Sequence, residues 1–73
     1  MVEFNIKVHP QQRLAYIPKE IVRALGFRLK AKPDRYALIL YPENCDLNLV
    51  IRSVEILLED LKLQRDAEQE VNS

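Results

Sequence analysis

Glycine is almost missing from this chain: Gly26 is the only one among 73 residues. Loops that cradle nucleotide phosphates need several glycines in close succession, so that class of enzyme is excluded. Cysteine is equally scarce. Cys45 is alone and no disulfide can staple the fold, while one thiol and one imidazole, His9, do not make a metal set. Serine occurs only at Ser53 and Ser73, and no cysteine or serine stands at a useful spacing from His9 for nucleophilic catalysis. Paired carboxylates occur only on a C-terminal segment read below as an exposed helix, where no cleft separates their proton affinities. The expectation is a protein that is not an enzyme and takes neither metal nor cofactor. No apolar run approaches the ~18 residues that a membrane span requires. Met1 to Val8 alternates with polar residues instead of forming an apolar leader, so the expected location is cytoplasmic, where a lone thiol persists.

Charge is plentiful, and its zero sum is misleading. Eleven basic and eleven acidic side chains cancel over the whole chain. Residues 1–42 hold eight bases against three acids, and residues 43–73 hold three bases against eight acids. A +5 body is thus followed by a −5 appendage, the asymmetry expected of two parts with different partners. Apolar residues make up 48% of the chain, enough to fold. A monomer of this length buries only about 60% of its unfolded surface, and with no disulfide or metal the remaining common stabiliser is oligomerisation.

Periodicity divides the body into short elements. Val2, Phe4, Ile6 and Val8 alternate with polar residues as on one face of a strand; His9-Pro10-Gln11-Gln12 breaks the run, and Arg13–Ile17 reads as a second strand paired with the first. Pro18 opens a helix of about two turns, with Glu20 in its first turn and Gly26 at its end. Phe27, Leu29 and Ala31 alternate inward against Arg28, Lys30 and Lys32, and Pro33-Asp34 marks a turn. Tyr36 to Tyr41 is almost uninterrupted apolar sequence. A strand of that kind is covered on both faces, and a 42-residue body has little to cover it with; Leu38 and Leu40 are therefore read as contacts with a second copy. The three tyrosines, Tyr16, Tyr36 and Tyr41, are read as core or interface residues.

The appendage is one amphipathic helix, expected over residues 47 to about 65, with Asn44 or Asp46 as cap and a polar, fraying tail from Asp66 to Ser73. Leu47, Val50, Ile51, Val54, Leu57, Leu58 and Leu61 form its broad apolar face. Leu49, Ile56 and Leu63 recur every seven residues on the opposite side and need a partner, which makes them oligomerisation candidates.

The stretch Arg13, Ile17-Pro18-Lys19-Glu20, Arg23, Leu25-Gly26-Phe27 resembles, in order and spacing, the core of the AbrB/MazE/SpoVT DNA-binding family, and the likeness extends more loosely over residues 4–42. The resemblance implies a mostly β fold with α, a swapped-hairpin AbrB-like barrel formed by an interlaced homodimer, here followed by the C-terminal amphipathic helix. It implies a DNA-binding domain at residues 1–42 and duplex-contacting residues at Lys7, Arg13 and Arg23, with Lys19 in the same motif. Arg28 and Lys30 join that group on charge alone. The family often carries a glycine just before the Arg13 position, where this chain has Gln12, and a Gly-Asp turn after Leu-Gly, where this chain runs from Phe27 directly into Arg28–Lys32.

The expected function is double-stranded DNA binding in transcription regulation, by a homodimer or a tetramer joined through the C-terminal helix. The family also implies an alternative, an antitoxin whose C-terminal segment binds a toxin. A third reading is a protein-interaction module whose basic face only solubilises it.

Overall fold

The computed structural model describes residues 2–72; Ser73, the end of the expected frayed tail, lies outside them. The order of elements is α1 (Lys19–Leu25), β1 (Leu29–Pro33), β2 (Leu38–Pro42) and α2 (Leu47–Asn72). Helix outweighs strand, which corrects the expectation of a mostly β chain. Among the described residues the one sheet is the antiparallel pair β1–β2.

The chain 2–18 holds no strand ladder. It does reverse where a hairpin was expected. The His9 amide donates to the Leu14 carbonyl at 2.7 Å, and the Arg13 amide donates to the His9 carbonyl at 2.7 Å. The Gln12 amide donates to His9 Nδ1 at 3.2 Å. The turn is therefore built, but its two arms do not pair. Alternating sequence supplies a strand's side chains, whereas a ladder needs a partner edge, and a lone two-stranded hairpin is marginal in water. The expected strands 2–8 and 13–17 are in this respect not formed within one chain.

Helix α1 begins one residue later than the sequence suggested. Pro18 is its N-cap, with φ −53° and ψ 141°, and its carbonyl accepts from the Ile21 and Val22 amides. Ile21, Val22 and Leu25 are half-buried, while Lys19 and Arg23 are exposed. Gly26 closes the helix at φ 88° and ψ −170°, its amide donating to the Val22 carbonyl at 2.7 Å. That backbone region is essentially reserved for glycine. A Cβ placed there would meet nothing within 4 Å, so the constraint is conformational and not steric crowding. Gly26→Ala is expected to cost about 1–3 kcal/mol, read as a lowered denaturant midpoint with an unchanged slope.

In the hairpin, Leu29 pairs with Pro42, Ala31 with Leu40 and Pro33 with Leu38 on one face; Lys30 pairs with Tyr41 and Lys32 with Ile39 on the other. The Asp34 amide donates to the Ala37 carbonyl at 2.7 Å and closes the turn. The lysine face is thus not purely wet, because the unbroken apolar run of β2 places Ile39 and Tyr41 on it. Phe27, expected to face inward, is 93% exposed, and Tyr16, expected in a core or interface, is 97% exposed.

Asp46 caps α2: its carboxylate accepts the Asn48 amide at 2.9 Å, and its carbonyl accepts from Leu49 and Val50. The helix runs 26 residues, about 39 Å at 1.5 Å per residue. It passes residue 65, where fraying was expected, and continues to Asn72. Residues 66–72 contain no glycine or proline and are mostly alanine, glutamate and glutamine, good helix formers that extend an already nucleated helix. No helix among the described residues is long and apolar enough to cross a membrane.

Among the described residues no apolar side chain is buried. Two shallow grooves, lined by half-buried and exposed groups, run along α2. One is formed by Lys32, Ile39, Tyr41, Val50, Val54 and Glu55. The other is formed by Leu25, Leu38, Leu40, Leu49, Ser53 and Leu57. The radius of gyration is 14.6 Å, where a compact domain of this length has about 11 Å. The accessible surface is 7262 Å², where a compact chain of this mass exposes about 4,700 Å². The excess is about 2,600 Å² per chain, and large apolar side chains from Val2 to Leu63 stand exposed on the surface.

Candidate nucleic-acid interface

The expected DNA-contacting residues stand on three parts of the fold. Lys7 lies in the first arm, on the rim of a concavity that it shares with His9, Gln12 and Tyr16. Arg13 follows the His9–Gln12 turn. Lys19 and Arg23 are on α1, and Arg28 and Lys30 belong to the sheet hairpin. All six side chains are exposed. Among the described residues, Lys7, Arg13, Lys19, Arg23 and Lys30 make no ion pair.

Arg13 has φ +58°, the one non-glycine residue with positive φ among those described. An L-residue held there costs roughly 1–2 kcal/mol. With Gln12 before it and no glycine in the turn, the chain places the arginine itself in the left-handed region. The hydrogen bonds that His9 accepts from Gln12 and Arg13 hold it there. Strain of this kind clusters where a side chain must be aimed. Nothing in the sequence signalled it, because arginine carries no preference for that conformation.

On α1, Lys19 and Arg23 are four residues apart and share a face distinct from Ile21, Val22 and Leu25. Like charges at that spacing destabilise a helix by a few tenths of a kcal/mol, a repulsion that a bound anion relieves. Arg23 lies in the last turn, where its charge also suits the helix dipole.

Arg28 is placed differently. Its Nε donates to Glu43 Oε2 at 3.0 Å, and the Glu43 amide donates to the Arg28 carbonyl at 3.0 Å. Together these contacts close the open end of the β1–β2 hairpin. The side chains are 86% and 42% exposed, so the ion pair contributes at most about 1 kcal/mol. Lys30 shares its sheet face with Lys32, Ile39 and Tyr41, where long aliphatic stems cover apolar neighbours as well as carrying charge.

Of the oligomerisation candidates, Leu38, Leu49, Ile56 and Leu63 are exposed and Leu40 is half-buried. Cys45 is a half-buried free thiol whose Sγ lies 3.6 Å from the Asp46 carbonyl. No group of three or more histidine, cysteine or acidic side chains that could hold a metal ion occurs among the described residues. Compared with family models, curated proteins and solved structures, the chain matches none.

Proposed function

We propose that this chain is a duplex-DNA-binding transcription regulator that acts as a homodimer of the AbrB-like swapped-hairpin kind. The observation that carries the reading is a basic body whose contact candidates Lys7, Arg13, Lys19 and Arg23 are exposed and unpaired, in a chain that leaves its apolar surface open. The arm 2–8 has a strand's side-chain alternation, the arm 13–17 was expected to pair with it, neither has a ladder partner, and β2 is apolar on both faces. A second copy supplies what both lack. Exchanged arms would complete a barrel, bury the excess surface and bring two +5 bodies into one. Lysine and arginine on that body displace counterions from the phosphates. Arginines at Arg13 and Arg23 also have the fork that binds a guanine edge.

The antitoxin alternative is less well served. A segment that orders itself by wrapping a toxin would be expected to be extended, and α2 is already one continuous helix.

Arg13→Gly tests the assignment, because glycine suits φ +58° while deleting the cation. Thermal stability is expected to be kept or raised, and gel-shift affinity for a duplex to fall about tenfold, the scale of one lost charge-assisted contact per protomer. Unchanged affinity in a stably folded Arg13→Gly protein would remove Arg13 from the interface.

A further inference from the structure

Helix α2 has a second apolar stripe that its own chain does not cover. At 100° per residue Leu49, Ile56 and Leu63 fall within about 40° of arc. They are 59%, 54% and 70% exposed. Val50 and Val54, at the centre of the opposite face, are half-buried against β2. Leu49 borders one of the grooves along β2, whereas Ile56 and Leu63 line neither. The surface left open, about 2,600 Å² per chain, is larger than the ~800 Å² per partner of one standard interface, so there is room for more than one.

We infer that this stripe pairs with the same stripe of a second copy, antiparallel and about a two-fold axis through Ile56. The stripe is self-complementary under that operation, and charge separates it from a parallel pairing. Leu49 and Leu63 lie seven residues to either side of Ile56, so each leucine meets the other kind across the seam while Ile56 meets the partner's Ile56. The charges agree. Arg52 lies four residues before Ile56 and Glu59 three after it, on the same flank of the stripe. The two-fold therefore brings Arg52 beside the partner's Glu59 with an axial offset of about one residue rise, 1.5 Å. A parallel pairing instead sets Glu59 across the seam from the partner's Asp60, like charge against like. It also lays the base-free segment of Asp66, Glu68 and Glu70 along its own copy. Antiparallel pairing carries those three acids beyond the overlap. A same-patch interface of this kind closes on itself and does not propagate into fibres. The inference rests on α2 alone and needs no DNA-binding role for the body. Combined with a dimer made by exchanged arms, it yields a tetramer.

Engineered cysteines in the full chain with Cys45→Ser read the geometry directly. A disulfide needs Cα atoms within about 7 Å. Under mild oxidation Ile56→Cys alone is expected to give a covalent dimer on a non-reducing gel. Leu49→Cys and Leu63→Cys are each expected to stay uncrosslinked alone, because the two copies of either site stand about 21 Å apart along the seam, and to crosslink when mixed. Self-crosslinking of Leu49→Cys and of Leu63→Cys would show a parallel pair and overturn the inference. An Ile56→Cys protein that stays monomeric under oxidation would show that no copy occupies this face, and would overturn it equally. Both results are independent of the gel-shift outcome for Arg13→Gly.

Discussion

Leu38→Asp is expected to abolish cooperative unfolding, although Leu38 is 57% exposed in the single chain. An exposed surface substitution ordinarily shifts stability by no more than about 0.5 kcal/mol. The two readings of Leu38 therefore differ by an amount that is easily measured. If a second copy covers β2, the new carboxylate is placed in an apolar interface without a partner, at a cost of several kcal/mol. A small domain has only about 5–15 kcal/mol in total, so the assembled fold is lost. In the same view the wild-type melting midpoint rises with protein concentration, because association stabilises the folded form by mass action. Circular-dichroism melts across about a hundredfold range of concentration check both statements. A Leu38→Asp protein that melts like the wild type, with a midpoint independent of concentration, would mean that the chain folds alone and that its open apolar surface is native.

Removing Lys7, Arg13 and Arg23 together, as Lys7→Ala, Arg13→Gly and Arg23→Ala, is expected to erase most of the salt dependence of duplex binding. With Lys19, a dimer presents four cations twice, eight in all, and each phosphate neutralised contributes about −0.9 to the slope of log affinity against log salt. The wild-type slope is then about −7, and affinity falls about ten-thousandfold between about 50 and about 200 mM salt. Each single substitution flattens the slope by about two, one for each copy of the site, and the triple variant leaves a slope of about −2 from Lys19. Arg28 provides the contrast. Its guanidinium is engaged by Glu43, so Arg28→Ala is expected to change the slope by less than one, and its main effect is to loosen the open end of the hairpin. Fluorescence anisotropy of a labelled duplex over a salt series separates these cases.

The parts of this fold that could be read from residues are those decided within one turn of chain. Pro18 and Gly26 bracket α1 to within one residue, because proline suits a helix start and glycine alone takes the backbone that ends it here. Pro33-Asp34 locates the hairpin turn, and Asp46 was one of two possible caps for α2. The misread parts depend on something distant. Val2–Val8 has a strand's alternation, but a ladder requires an edge that this chain does not provide, so the arm stays unpaired. Lys30 and Lys32 were expected on a wet face. The register with Tyr41 and Ile39 makes that face mixed, and register is set by the pairing, not by the lysines. The candidate site divides similarly. The exposure of Lys7, Arg13, Lys19 and Arg23 followed from their charge. The left-handed backbone at Arg13 and the Arg28–Glu43 bridge, fifteen residues apart in sequence, come from the fold.

In the proposed function two copies of this chain make one DNA-binding body. Sedimentation of a fluorescently labelled duplex with the wild-type protein at low salt tests it most directly, because it reports chain stoichiometry and binding in the same boundary. One faster-sedimenting complex is expected, carrying an even number of chains, two or four per duplex, and dissolving as salt is raised. A duplex that sediments at its free rate beside the protein, or a complex built from single chains, would contradict it.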